Sequence, residues 1–147
     1  KKVMTKRDEL VWRIIDANFN RSREGLRVCE EIARFVLNSR PLTEEFKSAR
    51  HKISTIRKSM GNKTGMLLTS RDVKGDVAKE LNIRMRTKRA TSADIYQANI
   101  QRVKESLRVL EEFFKIIDEK RSKKFSNLRF RVYDIERRSA ARIAAFR

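Results

Sequence analysis

The pattern Asn-x-x-Arg-x-x-Glu occurs twice in the chain and combines residue types that bind phosphorylated ligands. Its members are Asn18, Arg21 and Glu24 in the first copy and Asn99, Arg102 and Glu105 in the second. A guanidinium can donate two parallel hydrogen bonds to a phosphate, and an Asn amide both donates and accepts. The same spacing has a second interpretation, in which each Arg forms an ion pair with the Glu three residues on and only stabilises its helix. The pattern alone leaves both interpretations open.

A short polar segment between the two copies, residues 71–76, contains charged side chains of both signs. Asp72 and Asp76 could hold Mg²⁺ through water, while Arg71 and Lys74 bind phosphate and Gly75 permits a turn. The alternative is an ordinary exposed turn in which an Asp caps a short helix. This segment is the candidate catalytic loop, with Asp72 and Asp76 as its candidate metal ligands.

Other kinds of catalytic site find no support in the sequence. The single histidine, His51, has no set of Cys or His partners for zinc and is expected on the surface. The single cysteine, Cys29, cannot form an internal disulfide and lies on an apolar stripe, which indicates a core thiol in a reducing compartment. There is no P-loop, dinucleotide-binding glycine pattern or nucleophile elbow. With no signal peptide and no run of about 20 apolar residues, we expect a cytoplasmic protein.

Apolar periodicity predicts an all-α fold, a single helical domain over residues 1–147. The expected helices are residues 8–37, ended by the Asn38 to Pro41 stretch; residues 43–61, capped by Thr43; a short helix at 77–81; residues 92–118, capped by Ser92 with Asp94; and residues 122–147. The stretch between residues 61 and 91 holds few apolar residues and reads as a connecting segment.

An internal repeat organises these helices. Residues 17–31 and 98–112 share nine identities in fifteen positions at an offset of 81, and the helices that follow match at an offset of 79. The chain therefore predicts a duplicated helical hairpin that forms a pseudo-twofold bundle. Repeat one covers about residues 8–60, a central segment about 61–91, and repeat two about 92–147.

The two copies of the motif fall within the apolar arc of their helices at about 100° per residue. The core stripes themselves are Phe19, Ser22, Leu26, Cys29, Ala33 and Val36, and then Ile100, Val103, Leu107, Leu110, Phe114 and Ile117. We therefore expect both motif arginines to face inward. Asn18, Arg21, Asn99 and Arg102 should converge on one cavity near the pseudo-twofold axis, with Arg71 and Asp72 close to its mouth. The small residues one helical turn after the arginines, Gly25 and Ser106, would leave room for the ligand. The glutamate pairs at 30–31 and 111–112 are expected to point outward into solvent.

The chain is strongly basic, with 37 Lys and Arg against 19 Asp and Glu and a formal net charge of +18. Such a charge attracts polyanions, which fits nucleic acid and phosphorylated small molecules equally, although much of it can be plain solvated surface. The sequence leaves nucleic-acid binding and homo-oligomer formation open.

Four motif segments together resemble a known helical family, in that family's order: residues 13–28, 71–77, 98–112 and 128–136. The family is the monofunctional hydroxymethylpyrimidine phosphate kinase of thiamine biosynthesis, a domain often fused ahead of thiamine phosphate synthase. The resemblance implies ATP- and Mg²⁺-dependent phosphorylation of 4-amino-5-hydroxymethyl-2-methylpyrimidine phosphate to its diphosphate, with a synthase as partner or fused domain. It also implies that the two Asn-x-x-Arg-x-x-Glu copies bind substrate and phosphate and that Arg71, Asp72 and Asp76 act in catalysis.

Two other function classes remain as alternatives to the kinase. One is a non-catalytic basic helical module that binds RNA or phosphorylated partners, and the other is a degenerate scaffold domain. A kinase should retain activity at moderate salt, whereas a module that binds a nucleic-acid backbone should lose affinity steeply as salt rises.

Overall fold

The computed structural model describes residues 5–61, 71–79 and 88–146, and over these ranges the protein is a bundle of four helices with no strand. The helices are α1 (Lys6–Glu31), α2 (Arg40–Lys58), α3 (Ser92–Ile117) and α4 (Glu119–Ala144). The last turn of α1 continues as a π-helix, Ile32–Val36. The predicted all-α fold class is confirmed.

Threonine residues begin the two long central helices. Thr5 and Thr91 each accept a hydrogen bond from the backbone N–H three residues on, while Asp8 and Asp94 return the bond, so both helices start with a capping box. The predicted cap of the third helix, Ser92, is therefore one residue too late.

The predicted start of the second helix was wrong because Pro41 lies inside the helix rather than before it. Ser39 is the N-cap and Pro41 occupies the first turn, where its missing N–H would have no helical partner. The break between the helices is at Asn38, whose φ of 48° is the left-handed conformation that Asn tolerates better than most residues. Proline thus starts α2 instead of stopping α1.

The fourth helix also begins earlier than predicted. Asp118 ends α3 and caps α4, so the two helices are joined by a single residue. Ser122, the expected start, is buried and donates from Oγ to the Glu111 carbonyl at 2.7 Å. Of the short helix predicted at 77–81, residues 77 and 78 form a turn and residue 79 is helical, and the remainder lies outside the described residues.

The two central helices, α1 and α3, run antiparallel through the core. Cys29 lies beside the Tyr96 carbonyl at one end, and the Phe19 and Phe114 rings meet edge to face, 6.1 Å between centroids, at the other. Phe125 of α4 adds a third ring, stacked on Phe114 at 5.2 Å. The apolar stripes predicted from the sequence are buried here, apart from partly buried Val36 and Ile117.

The second helix of each hairpin packs on its first, α2 on α1 and α4 on α3. The edges of α2 and α4 are joined by polar contacts near both ends. Arg138 binds both carboxylate oxygens of Glu45 at 2.6 and 2.8 Å, and Arg121 donates to the carbonyl and hydroxyl of Ser59 at 2.9 and 3.0 Å. The bundle is therefore a closed square of two equivalent hairpins.

Gly25 lies at a close approach of α1 and α3. A Cβ at this position would lie 2.7 Å from Val103 Cγ2 and 3.1 Å from the Asn99 carbonyl oxygen. The space that the sequence suggested for a ligand at Gly25 is thus filled by the facing helix. At the equivalent position of α3, Ser106 is buried and donates to the Val103 carbonyl at 3.0 Å.

Two single residues behave as the sequence indicated. Cys29 is a free, buried thiol, and burial raises its pKa from 9.0 to about 12, so it is protonated at neutral pH. His51 is exposed. In the described ranges, no helix combines the length and the apolar character needed to cross a membrane.

We predict that Gly25→Ala lowers the free energy of unfolding by about 1 to 2 kcal/mol, because the added methyl group forces α1 and α3 apart and this outweighs the better helix propensity of Ala. Gly25→Val should cost more. Urea unfolding followed by circular dichroism measures both, with Ser106→Ala as the matched control, for which we expect nearly no change. Equal stability of Gly25→Val and the wild type would contradict a tight contact.

Candidate functional site

A cleft of about 800 Å³ opens along the N-terminal half of α1, between that helix, Val109 of α3 and the 71–76 loop. Its size is within the range of small-molecule sites. Eight of its thirteen lining residues are polar or charged, namely Arg13, Asp16, Asn18, Asn20, Arg21, Arg71, Asp72 and Asp76. We call this the α1 cleft. It brings five of the sequence-predicted site residues together.

Arg71 anchors the loop to α1 through Asp16. Its Nε and Nη2 donate to the two carboxylate oxygens of Asp16 at 2.6 and 2.9 Å, and the hydrogen bonds raise the pKa of Arg71 further. Asp16 is buried and also has Arg57 of α2 at 3.8 Å. A bidentate pair of this kind fixes geometry as well as charge, so the loop is held at one edge of the cleft.

The two loop aspartates shape the turn that carries them. Asp72 Oδ1 accepts from the backbone N–H of Gly75 at 2.7 Å, and Asp76 Oδ1 accepts from that of Ala78 at 3.0 Å. A Cβ on Gly75 would lie 2.0 Å from Asp72 Oδ2, so a side chain there would force the Asp72 carboxylate to move. The two Oδ1 atoms thus stabilise an exposed turn, as the alternative interpretation of this segment expected. Both aspartates line the α1 cleft, and within the described ranges their Oδ2 atoms make no hydrogen bond.

The motif asparagines fasten to their own helices. Asn18 donates to the Ile14 carbonyl and Asn99 to the Ile95 carbonyl, both at 2.8 Å, so the two copies share one conformation. In each case the amide nitrogen is engaged and the amide oxygen remains as an acceptor. Asn18 is buried at the wall of the α1 cleft, which suits recognition of a ligand N–H or O–H.

The prediction that both motif arginines face inward was wrong, since Arg21 and Arg102 are exposed. They lie at the edge of the apolar arc, where a long side chain reaches solvent. The alternative ion pairs are also missing. Within the described chain, neither arginine pairs with the glutamate three residues on, and the Arg21 side chain has no hydrogen-bond or ion-pair partner. Arg21 is thus available to a ligand in the α1 cleft.

The two motif copies do not converge on one cavity. The two helices run antiparallel and cross near Gly25 and Val103. Asn18 lies seven residues before Gly25 and Asn99 four residues before Val103, so the two asparagines lie on opposite sides of the crossing, on the order of 16 Å apart along the axis. Asn99, Arg102 and Glu105 do not line the α1 cleft. Glu24 lines a neighbouring cleft and Glu105 its counterpart on the second hairpin.

Two glutamates expected to be solvated are buried at equivalent positions. Glu30 binds Arg27 at 2.9 Å and Arg50 at 3.2 Å, and Glu111 binds Arg108 at 2.8 Å and Arg129 at 3.2 Å. The sequence analysis missed this because both partners are needed to bury the carboxylate, and Arg50 and Arg129 come from the other helix of each hairpin. Their neighbours, Glu31 and Glu112, are partly exposed as predicted.

Sequence reasoning also missed three side chains of the α1 cleft: Arg13, Asp16 and Asn20. The signal for Asp16 was its place beside buried Ile15 on the apolar side of α1, where an unpaired carboxylate would be costly.

Among the described residues, no group of three or more His, Cys, Asp or Glu side chains is arranged to hold a metal ion. Mg²⁺ can be bound by one or two carboxylates together with substrate phosphates.

The positive charge is concentrated on the outer helices of the hairpins. α4 has nine Lys and Arg against three Asp and Glu, and α2 has six against two, whereas α1 and α3 each have equal numbers of the two signs. Two aromatic side chains stand exposed on α4, Phe130 at 61% and Tyr133 at 45%. The most basic surface therefore differs from the α1 cleft, which has no wall residue from α2 or α4.

Comparison with known proteins identifies the relatives of the chain. The model described as the ThiD2 family matches residues 13–138, a span that includes both hairpins and the 71–76 loop. The chain belongs to the ThiD2 family. No solved structure matches it.

Curated relatives of this ThiD2 chain are named thiamine-phosphate synthase. The protein from Nostoc sp. is 39% identical over 128 residues, which are 87% of this chain and 35% of the relative. That from Synechocystis sp. is 40% identical over 126 residues, 86% of this chain and 35% of the relative, and that from Rhodopirellula baltica is 37% identical over 123 residues, 84% and 32%. The chain thus spans about a third of the length of these relatives.

We predict that Asp16→Asn lowers the free energy of unfolding by about 1 to 3 kcal/mol, since it leaves Arg57 largely buried without a carboxylate and releases Arg71. Asp134→Asn is the matched control, because this carboxylate also binds two arginines but is exposed, so solvent screens its ion pairs and its loss should cost distinctly less than that of Asp16. Urea unfolding of both variants compares the two sites. Similar losses would contradict the anchoring role of Asp16.

Proposed function

We propose that this chain is a small-molecule kinase of thiamine biosynthesis that phosphorylates 4-amino-5-hydroxymethyl-2-methylpyrimidine phosphate to the diphosphate with ATP and Mg²⁺. The single observation that carries the proposal is the α1 cleft, where Asn18 and Arg21 of the first motif meet the Asp72 and Asp76 carboxylates. Membership of the ThiD2 family and relatives named for thiamine-phosphate synthesis support the pathway, and the cleft supports the phosphoryl chemistry.

The arrangement of charges suits a phosphorylated acceptor. Arg13 and Arg21 carry positive charge at the cleft wall, whereas Arg71 is already neutralised by Asp16. Arg13 and Arg21 are therefore the groups that would bind the acceptor phosphate, and the Asn18 amide oxygen would accept from the 4-amino group of the ring. Arg71 acts as a positioning residue that holds the loop.

The reaction forms a bond between an oxygen of the acceptor phosphate and the γ-phosphorus of ATP, and it breaks the bond from that phosphorus to the β–γ bridging oxygen, so ADP leaves with the bonding electron pair. The acceptor phosphate is itself the nucleophile, and such a transfer requires positioning and charge neutralisation more than covalent catalysis. Asp72 and Asp76, through the oxygens not used in the turn, would hold Mg²⁺, which neutralises charge on the transferred phosphoryl group.

A thiamine-phosphate synthase unit is the proposed partner, fused or separate. The curated relatives carry that name over chains about three times as long as the part they share with this one. The diphosphate that the α1 cleft would produce is the activated form that a synthase can condense, since diphosphate is a good leaving group.

The proposal predicts unequal effects of three substitutions on the purified chain. Asp72→Asn should lower kcat about 10- to 100-fold with little change in pyrimidine phosphate binding, as expected for a metal ligand. Arg21→Ala should weaken binding of a phosphorylated substrate about tenfold. Arg102→Ala, the equivalent change in the second copy, is the control and should alter neither.

Steady-state kinetics with ATP, Mg²⁺ and the pyrimidine phosphate measure these effects, with the diphosphate as the product followed. Folded wild-type protein that forms no diphosphate would remove the kinase proposal. Unchanged kcat for Asp72→Asn would confine the loop to a structural role, and equal effects of Arg21→Ala and Arg102→Ala would contradict the placement of the site in the first repeat.

A second candidate function is binding of RNA without turnover, and the observation that favours it is the basic surface of α2 and α4 with exposed Phe130 and Tyr133. Single-stranded nucleic acids bind where cationic side chains track the backbone and aromatic rings stack on bases. This function would use a different surface from the α1 cleft.

The RNA candidate predicts that a labelled single-stranded RNA binds with an affinity that falls steeply with salt, and that Phe130→Ala weakens it about 5- to 100-fold. Ile116→Ala, which removes an exposed apolar side chain from the electrically balanced helix α3, is the control. Fluorescence anisotropy at several salt concentrations decides. Equal affinity of the Phe130→Ala and Ile116→Ala variants would reduce the interaction to unspecific charge attraction.

A further inference from the structure

A second cleft, of about 480 Å³, lies in the seam between α1 and α2 and is lined by Asn20, Arg23, Glu24, Arg27 and Arg50. We call it the arginine cleft. It adjoins the α1 cleft at Asn20, which lines both. Three guanidinium groups from two helices thus face a space next to the candidate active site.

The second hairpin has a counterpart of this cleft, and comparison of the two shows what differs. The counterpart is lined by Gln101, Lys104, Glu105, Arg108, Arg129 and Tyr133. There Lys104 is neutralised by Glu136 of α4 at 2.8 Å. The repeat offsets place Arg23 where Lys104 stands and Arg57 where Glu136 stands. The first hairpin therefore has two cations at the positions where the second has an ion pair.

Arg23 is left without a counter-charge. Its Nε is buried and has no hydrogen-bond partner, and within the described residues its side chain forms no ion pair. Arg121 and Arg129 also have an unpartnered Nε, but each binds a carboxylate through other nitrogens. A half-buried guanidinium with no anion beside it is a costly arrangement that a bound anion would relieve.

Two of the three carboxylates near the arginine cleft, Glu30 and Asp16, are already paired with other arginines. Glu30 is buried and shared by Arg27 and Arg50, at 2.9 and 3.2 Å. Asp16 is shared by Arg71 and by Arg57, the residue that replaces the glutamate of the second hairpin. Of the cleft residues, Glu24 alone is an exposed carboxylate. Within the described residues none of these carboxylates, Glu24 included, forms an ion pair with Arg23, which therefore remains an uncompensated cation.

We propose that the arginine cleft is a binding site for a polyphosphate anion, with Arg23 as its principal contact and Arg27 and Arg50 beside it. Guanidinium groups present planar forks of donors that match phosphate oxygens. If the kinase function holds, the anion is the triphosphate of the donor nucleotide, because a donor must lie next to the acceptor and the two clefts meet at Asn20. That last step rests on the proposed function; the anion site does not.

The test uses inorganic tripolyphosphate and the full chain at constant ionic strength. Isothermal titration calorimetry should show that Arg23→Gln weakens binding about tenfold or more. Arg23→Lys, which keeps the charge and loses the fork, should lie between. Lys104→Gln is the matched control at the equivalent position of the second hairpin and should leave the affinity unchanged. Urea unfolding confirms that each variant is folded.

Arginine side-chain NMR locates the bound anion. The Nε–Hε signals of Arg23, Arg27 and Arg50 should shift on titration with tripolyphosphate. Equal losses in Arg23→Gln and Lys104→Gln, or shifts confined to arginines outside the cleft, would overturn the proposal. If tripolyphosphate binding depends on Arg23 but the protein shows no turnover, the anion site stands and the kinase proposal falls. Turnover with an unchanged KM for ATP in Arg23→Gln would retain the kinase and remove this site as its donor site.

Discussion

The close packing of α1 against α3 is the constraint on which the rest of the structure depends. At Gly25 the two backbones approach so closely that a methyl group has no room, and the contact fixes both the crossing point and the antiparallel register. Register then decides which residues face each other, from Cys29 beside Tyr96 to Phe19 against Phe114. Because the crossing lies on the pseudo-twofold axis, equivalent residues of the two repeats point to separate places on the surface.

Separation of the repeats allows duplicated hairpins to carry different sites. The buried Glu30 and Glu111 networks are nearly identical and hold each hairpin together in the same way. One heptad away the copies diverge, since a Lys–Glu pair in one hairpin is replaced by two arginines in the other. The extra positive charge is balanced in part by Asp16, whose equivalent is Gln97. Asp16 in turn binds Arg71 of the 71–76 loop. The replacement of the Lys–Glu pair by two arginines and the attachment of the loop therefore both distinguish the first hairpin from the second.

The sequence predicted the helices, the repeat and the core well because each depends on periodicity within one helix. It predicted one cavity for Asn18 and Arg21 with Arg71 and Asp72 at its mouth, and these four residues do line the α1 cleft. It also assigned the second motif to that cavity, since periodicity cannot give the direction in which two helices cross. It read Glu30 as solvated because the arginine that buries it comes from another helix. It took Pro41 as a stop because a proline that ends one helix and a proline that begins the next have the same sequence signal.

The distribution of charge explains why net charge alone could not choose a function. The central helices that carry the motif are electrically balanced, whereas α2 and α4 together carry ten of the eighteen net positive charges. Long-range attraction from that surface would raise the local concentration of any phosphorylated molecule, substrate or polymer alike. Discrimination must then come from short-range geometry: which guanidinium groups lack a carboxylate partner, and which of these face a cleft of ligand size. In the described chain Arg21 and Arg23 both meet these conditions, Arg21 in the α1 cleft and Arg23 in the arginine cleft, and Asn20 lines both clefts.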